Sequence, residues 1–299
     1  MRCAVAAALL LAVGLAAGPR EVRAYHECGV ANAPSFDLRH AAPESLRIGV
    51  ALGSGSMHAL AHVGVLESIE ESGLRVHVVS GTSAGALVGA LWASGVPARE
   101  IERMAGAAGW ETLRSFAPAS GGLMSHEPLR ARLATTLTAP IESWPKRFGA
   151  VATNVDNGRP RVLMSGDGAL AVQASTASPV VFAPVVVGNE RLADGALVEP
   201  VPVESARAMG AEFVIAVDVG YRPYEERAEG VMQLGFQALN ILRNTLGEAQ
   251  AREADVAIRL DVHESLVRCG PMSLVAVGRD AARHALPEIE RALRARASR

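Results

Sequence analysis

The sequence Gly81-Thr82-Ser83-Ala84-Gly85 is the stretch that decides the fold. It follows the apolar run Val76 to Ser80 and precedes the helical stretch Ala84 to Ser94, so the order is strand, sharp turn, helix. In a nucleophile elbow the two flanking glycines let backbone segments approach closely, and the serine presents its Oγ at the helix N-terminus with strained dihedral angles. Ser83 is therefore the first candidate nucleophile, and an ordinary strand-to-helix turn is the alternative.

A glycine-rich loop lies upstream of this elbow. Arg47 to Leu52 has the pattern of a short buried strand, and it runs into Gly53-Ser54-Gly55-Ser56 and then a helix from about Met57 to Ser72. Backbone N–H groups in such a loop suit a phosphate or the oxyanion of acyl transfer. A dinucleotide fingerprint would need glycine at position 58, and no Gly-Lys-Ser/Thr follows, so nucleotide binding is disfavoured. A tight turn without a ligand stays open.

An aspartate between apolar residues and a glycine forms the third signal. Leu192-Ala193-Asp194-Gly195-Ala196 follows the apolar run Pro184 to Val187 and a polar turn. Alone, this aspartate would be interpreted as a turn cap. Ser83 needs a base at close range, however, and Gly195 permits that approach. Asp194 is therefore the candidate base, with Gly195 lining the site.

Taken together, these motifs resemble the patatin-like phospholipase family in its compact bacterial form, from about Arg47 to Gly220. Members of that family carry a glycine-rich loop, a G-x-S-x-G elbow and a D-G-[AG] element, in this order. The intervening sequence also matches the family, at residues 61–66, 121–123, 148–154, 174–179 and 199–203.

The resemblance implies a serine hydrolase that acts on acyl esters of lipids, without a metal or cofactor. Its catalytic dyad would be Ser83 and Asp194, with no catalytic histidine. The carboxylate would activate the serine hydroxyl, and water would later release the acyl group with Asp194 as base again. The oxyanion hole would consist of backbone N–H groups of the glycine-rich loop, namely Gly53, Ser54, Gly55 and Ser56.

The sequence departs from the family pattern in two places. His58-Ala59 stands where the family usually carries Arg-Gly, and Ser178-Pro179-Val180 stands where it usually carries Ile-Pro-Gly. We expect His58 to line the site and to restore the missing charge only below its reference pKa of about 6.5. An exposed helix-start residue is the alternative. A catalytically weak member that binds lipid or a partner protein is accordingly a rival function.

Other histidines supply two further alternatives. His62 lies four residues after His58 on the same predicted helix face, but no further ligand accompanies this pair as a metal site would require. His263 and His284 follow Asp194, which is the Ser, Asp, His order of an α/β-hydrolase triad. Both lie in charged sequence, where a solvated side chain is expected, so the triad is kept as the rival mechanism.

Composition fits one globular α/β enzyme. The 299 residues are 49% hydrophobic and 20% charged, which is enough for one sizeable core. A net charge of −2 argues against a nucleic-acid partner, which requires a basic face. Aromatic residues make up only 4% of the chain, too few for a platform on which bases stack. The expected partner is a lipid or another acyl-ester substrate, and a membrane surface is a candidate place for the encounter.

The N-terminus resembles a secretory signal. Arg2 precedes an apolar run from Ala4 to Ala17, and Val22-Arg23-Ala24 offers small residues for cleavage. We expect residues 1–24 to be removed and the protein to reach the periplasm or the medium. Cleavage after Ala17 or Gly18 and an uncleaved membrane anchor are the alternatives. In an oxidising compartment Cys28 and Cys269 would either pair or remain as two thiols.

The alternation of apolar strand-like runs with helical stretches predicts a three-layer α/β/α domain with a mostly parallel sheet. We expect an N-terminal arm at 25–46 and a hydrolase domain at 47–299, with the core motifs in 47–220 and a C-terminal region at 221–299. The stretch Val231 to Leu246 is interpreted as a packed helix rather than one that contacts a membrane. Strands are predicted at 47–52, 76–80, 148–153, 161–164, 184–187, 213–219 and 255–260, and helices at 57–72, 84–94, 97–108, 126–137, 167–175, 202–209, 231–253 and 273–297.

Overall fold

A computed structural model describes residues 20–25, 36–107, 124–220, 230–261 and 271–297 of the chain. Its strands are β1 Arg20–Tyr25, β2 Ile48–Leu52, β3 Val78–Thr82, β4 Arg147–Asn154, β5 Arg159–Leu163, β6 Val185–Val187, β7 Glu190–Asp194, β8 Phe213–Asp218 and β9 Val256–Asp261. Its α-helices are α1 Leu60–Glu71, α2 Ala84–Ala93, α3 Ala98–Ala107, α4 Glu127–Ala134, α5 Gly168–Ser175, α6 Val203–Ala208, α7 Val231–Ala251 and α8 Pro271–Ala297. A short 3-10 helix, Ser56–Ala59, precedes α1.

The strands form one sheet of nine, in the order β1-β9-β8-β2-β3-β4-β7-β6, with β5 paired to β4. All pairings from β1 to β4 along this order are parallel. The pairings of β4 with β5 and β7, and of β6 with β7, are antiparallel. The sheet is therefore mostly parallel, as predicted.

Alternate residues of the central strands face opposite layers. In β8, Ile215 and Val217 belong to the larger apolar core, whereas Val214 and Ala216 belong to a second, smaller core. Helices α1, α2, α5 and α8 contribute to the first core, and α6 contributes to the second. Two cores on the two faces of one sheet define the three-layer α/β/α fold, and the prediction of fold class is confirmed.

Two strands were absent from the prediction. β7 was interpreted as a turn followed by the aspartate motif, because it is short and begins with Glu190 and Arg191. β1 lies inside the predicted signal peptide and pairs in parallel with β9, Arg20 opposite Val256. Cleavage after Ala24 would remove all of β1 except Tyr25. The signal peptide and the domain boundaries remain predictions, and Cys28, Cys269 and His263 lie outside the described residues.

The prediction that the stretch Val231 to Leu246 packs against the protein is wrong for its large apolar side chains. Leu234, Leu242 and several neighbours on α7 are exposed to solvent. The helix contacts the body through a different stripe, because its polar and small residues face inward. Across the described residues, no helix combines the length and the apolar character needed to cross a membrane.

The fold brings together two strand-to-helix connections at the carboxyl ends of neighbouring strands. β2 and β3 are adjacent parallel strands, and Leu52 lies opposite Gly81 at their carboxyl ends. The loop that follows β2 and the turn that follows β3 therefore lie side by side. In α/β sheets this edge is where ligands bind.

Candidate active site

Ser83 lies between β3 and α2 in a strained conformation, with φ 55° and ψ −125°. A non-glycine residue at positive φ is held there only when its surroundings fix it. Here the close packing of two turns does so, because a Cβ on Gly85 would lie 2.3 Å from the carbonyl oxygen of Leu52. A Cβ on Gly81 would likewise lie 2.6 Å from the Cα of Ala86. The turn thus has the geometry of a nucleophile elbow.

The elbow is also held from the neighbouring helix. The backbone N–H of Ser83 donates to Oγ of Ser175 at 2.9 Å, and that hydroxyl donates to the carbonyl of Val151 at 2.6 Å. Ser175 is fully buried. Ser175 is therefore a positioning residue. The sequence analysis did not assign it this role, although it lies in the segment 174–179 that resembles the family.

Asp194 is the hydrogen-bond partner of the candidate nucleophile. Oγ of Ser83 donates to Oδ2 of Asp194 at 2.8 Å. The hydroxyl of Ser178 donates to the same oxygen at 2.8 Å, and the backbone N–H of Ala196 donates to Oδ1 at 2.9 Å. Gly195 permits this packing, because a Cβ there would lie 2.2 Å from the carbonyl oxygen of Val151. The structure therefore brings together Ser83, Asp194 and Gly195.

Burial raises the pKa of Asp194, because a carboxylate loses its hydration in this site. The hydrogen bonds from Ala196, Ser178 and Ser83 and the charge of Arg243 act against that rise. A carboxylate with raised proton affinity is a better general base for a serine hydroxyl than an exposed aspartate.

The glycine-rich loop supplies fewer oxyanion donors than predicted. The N–H of Gly53 donates to the carbonyl of Val217 at 2.9 Å, and the N–H of Ser54 donates to that of Pro200 at 2.7 Å. Both groups are occupied by fold-stabilising bonds and are unavailable to a substrate. Among the backbone hydrogen bonds that turns and loops make in the described part of the chain, none is donated by the N–H group of Gly55 or Ser56. They remain the predicted donors from this loop, with Ser56 at the pocket wall.

Ala84 is a further candidate donor, which the sequence analysis did not include. It is the first residue of α2 and lines the same pocket as Ser83. The first N–H groups of a helix have no intrahelical acceptor. In nucleophile elbows the residue after the nucleophile supplies such a donor, and this rule would have identified Ala84 from the sequence.

His62 holds the loop in place. Its Nε2 lies 2.8 Å from the carbonyl oxygen of Gly53, and its ring is fully buried. Burial lowers the pKa of His62 to about 4, so the ring is neutral at neutral pH and donates through this nitrogen. His62 therefore acts on the glycine-rich loop.

His58 lines the pocket but does not carry the predicted charge. Its side chain is 5% exposed, and burial together with the charge of Arg243 lowers its pKa to about 4. The expectation of a titration near pH 6.5 is wrong, because that reference value belongs to a solvated imidazole. At neutral pH His58 does not replace the missing arginine.

Arg243 supplies the positive charge of this site from α7. It lines the pocket together with Ser83, Asp194 and His58. Its positive charge contributes to the lowered pKa of His58, and it opposes the rise that burial causes in the pKa of Asp194. The sequence signal was present but not used: Arg243 is the one charged residue between Val231 and Leu246.

The pocket has a volume of about 610 Å³ and mostly apolar walls. Leu60, Leu87 and Leu129 lie in its lining, as does His126, which stacks on Phe182 with 3.6 Å between ring centroids. His284 does not line it. That ring lies on α8, with Nδ1 2.9 Å from the carbonyl oxygen of Asp280, so the structure does not bring His284 to Ser83.

Comparison with known proteins identifies the family of this chain. Residues 50–207, which are 158 of the 299 residues, match the patatin-like phospholipase family. The chain is similar to the lysophospholipase NTE1 of Pyricularia oryzae, with 31% identity over 182 residues, 58% of this chain and 12% of that protein. It is also similar to an NTE family protein of Mycobacterium bovis, with 33% identity over 193 residues, 61% of this chain and 51% of that protein.

Two solved structures have similar folds. VipD from Legionella pneumophila is 14% identical with a TM-score of 0.45, over 91% of this chain and 70% of that chain. The type III effector ExoU is 16% identical with a TM-score of 0.41, over 83% of this chain and 54% of that chain.

The family match spans more than half of the sequence, and this chain belongs to the patatin-like phospholipase family. The chain spans at most about half the length of the curated relatives described above.

Proposed function

We propose that this protein hydrolyses carboxylic esters of lipids through a dyad of Ser83 and Asp194. The observation that carries the proposal is the 2.8 Å hydrogen bond from Oγ of Ser83 to Oδ2 of Asp194 at a strained elbow. The apolar walls of the pocket fit an acyl chain, since burying each methylene contributes about 0.8 kcal/mol.

We propose a role for each group in the reaction. Asp194 accepts the hydroxyl proton of Ser83 as its Oγ attacks the ester carbonyl carbon. The oxygen that becomes negative is stabilised by N–H groups of Gly55, Ser56 and Ala84, a contribution of about 3 to 4 kcal/mol for one such donor. Asp194 gives its proton to the leaving alcohol, and the acyl group stays on Ser83. Water then attacks the acyl carbon while Asp194 takes a proton from the water. The bond from the acyl carbon to Oγ breaks, Asp194 returns the proton to Oγ of Ser83, and the fatty acid leaves.

The rival hypothesis is that this protein is a catalytically weak family member that binds lipid or a partner protein. That hypothesis now has less support. It rested on the missing arginine at position 58, and Arg243 brings a guanidinium to the same pocket. The triad through His284 lacks the necessary contact, because His284 is outside the pocket lining.

Turnover of a short-chain ester tests the proposal. Ser83→Ala and Asp194→Asn should each abolish turnover, because the first removes the nucleophile and the second cannot accept its proton. His284→Ala is the control and should hydrolyse the ester like the wild type. Loss of turnover in His284→Ala would indicate that the histidine is the base of a Ser-His-Asp triad. Turnover retained in Asp194→Asn would contradict the dyad.

Export is a further part of the proposal, supported by Arg2 and the apolar run from Ala4 to Ala17. Because β1 begins at Arg20 and pairs with β9, we infer cleavage after Ala17 or Gly18 in preference to Ala24. The mass of the protein from periplasm or medium should then correspond to a chain that begins at Gly18 or Pro19. A chain beginning at Tyr25 would contradict this cleavage position, and full-length protein confined to the cytosol would contradict export.

A further inference from the structure

Helix α7 has its polarity reversed relative to an ordinary surface helix. The positions that face the protein recur every three or four residues, as expected for one helix face. They carry polar or small side chains, namely Gln237, Asn240, Asn244, Gly247 and Ala251. A surface helix normally turns its apolar stripe inward. Packing against the body therefore does not account for the apolar residues of α7.

The apolar residues of α7 face outward. Val231 is 90% exposed, Leu234 60% and Leu242 67%, and Ile241 and Leu246 are exposed as well. Single exposed hydrophobic residues are common on soluble proteins, whereas a contiguous group marks a surface that binds something. We call these five residues, together with Phe236 and Leu239, the outer face of α7.

The outer face is continuous with the catalytic pocket. Phe236 and Leu239 are exposed and also line the pocket. Leu197, three residues after Asp194, is likewise both exposed and part of the lining. The apolar surface therefore continues from the pocket onto the outer face of α7, because the residues that join the two are themselves apolar.

The charge pattern selects the kind of partner. Between Val231 and Leu246 the only charged residue is Arg243, and it lines the pocket. The outer face is accordingly uncharged, which fits insertion among acyl chains and gives no electrostatic preference for acidic headgroups.

We propose that the outer face of α7 inserts into the surface of a lipid aggregate and thereby holds the pocket against its substrate. This inference rests on the proposed function in one respect, which is that the substrate is a lipid. A second copy of this chain is the competing occupant of the face.

Binding to phosphatidylcholine vesicles tests the inference, with Ser83→Ala as the background so that no lipid is consumed. Leu234→Gln together with Leu242→Gln should weaken vesicle binding by about tenfold or more, since two apolar side chains lose their insertion. Val186→Gln is the matched control, because Val186 is 65% exposed but lies on β6. It should bind like the parent. Binding should persist at about 0.5 M salt, where charge interactions are screened.

A second measurement separates this inference from the proposed function. With the active serine restored, the double variant should hydrolyse a monomeric short-chain ester at the parental rate, because Leu234 and Leu242 are outside the pocket lining. Equal vesicle binding by the double variant and the parent would overturn the docking surface. The proposal would also be overturned if the parent did not bind vesicles but formed dimers, and the double variant did not form them. Absence of ester hydrolysis in a parent that binds vesicles would count against the proposed function alone.

Discussion

Ser178 shows how one side chain tunes the candidate base. It stands where the family usually carries isoleucine, and its hydroxyl donates to the oxygen of Asp194 that also accepts from Ser83. This bond favours the carboxylate and counteracts the burial that raises the pKa of Asp194.

Replacing Ser178 by alanine should raise the pKa of Asp194 further. The base works only when ionised, so kcat/KM is lost as pH falls through this pKa, and the acid limb should move to higher pH. A lost hydrogen bond to a charged group corresponds to a shift of about one pH unit. The pH profile of kcat/KM is the measurement, with Ser178→Thr as the control that keeps the hydroxyl. An unchanged acid limb in Ser178→Ala would show that Ser178 does not tune the base.

Val180 carries backbone strain two residues further on. Its φ is 73°, a conformation that is unfavourable for a β-branched residue, and the family usually has glycine here. Val180→Gly should therefore stabilise the protein by about 0.5 to 1 kcal/mol, once the greater freedom of glycine in the unfolded chain is subtracted.

Urea unfolding measures this change in free energy. Val186→Gly is the control, since Val186 is also exposed but has no positive φ, and it should destabilise the protein. Loss of stability in both variants would show that Val180 is not strained.

At the scale of elements, α1 and α8 pack with almost no space between their backbones. A Cβ on Gly64 would lie 1.9 Å from the carbonyl oxygen of Val275, and one on Gly278 would lie 1.9 Å from that of Ala61. Each glycine thus makes room for the other helix. This contact orients α1, which follows the glycine-rich loop and carries His62 in its first turn.

Gly278→Ala should destabilise the protein by about 2 kcal/mol, because the helices must separate to admit a methyl group. Gly235→Ala is the matched control within a helix, since a Cβ there meets nothing within 4 Å. It should stabilise the protein by up to about 1 kcal/mol through helix propensity. Thermal unfolding compares the two variants, and equal melting temperatures would contradict the close helix contact.

Elements with a strong local signal could be predicted from the sequence. β2, β3 and α2 follow from apolar runs interrupted by small residues. β1 and β7 could not, because short strands with charged residues are fixed by their pairing partners rather than by their own pattern. The periodicity of α7 predicts a helix with two unlike faces, but which face meets the protein depends on tertiary packing.

At the scale of the whole molecule, the order of three motifs indicated which side chains meet across the chain. Ser83 and Asp194 meet in one site because Thr82 of β3 pairs with Val151 of β4, and Asp194 of β7 pairs with the next residue of β4, Ala152. The sequence singles out Arg243 as the one charged residue between Val231 and Leu246, but its place in the pocket depends on how α7 packs. The neutral state of His58 and the bonds that occupy Gly53 and Ser54 also depend on the folded surroundings.

The central claim is that Asp194 activates Ser83. Labelling by a serine-reactive fluorophosphonate, followed by mass spectrometry of the peptide that contains Ser83, tests it most directly. The wild type should gain one adduct on Ser83, and Asp194→Asn should be labelled more slowly by a factor on the order of 10² to 10⁴, the usual contribution of a general base. A folded wild type that gains no adduct, or an Asp194→Asn variant labelled at the wild-type rate, would contradict the claim.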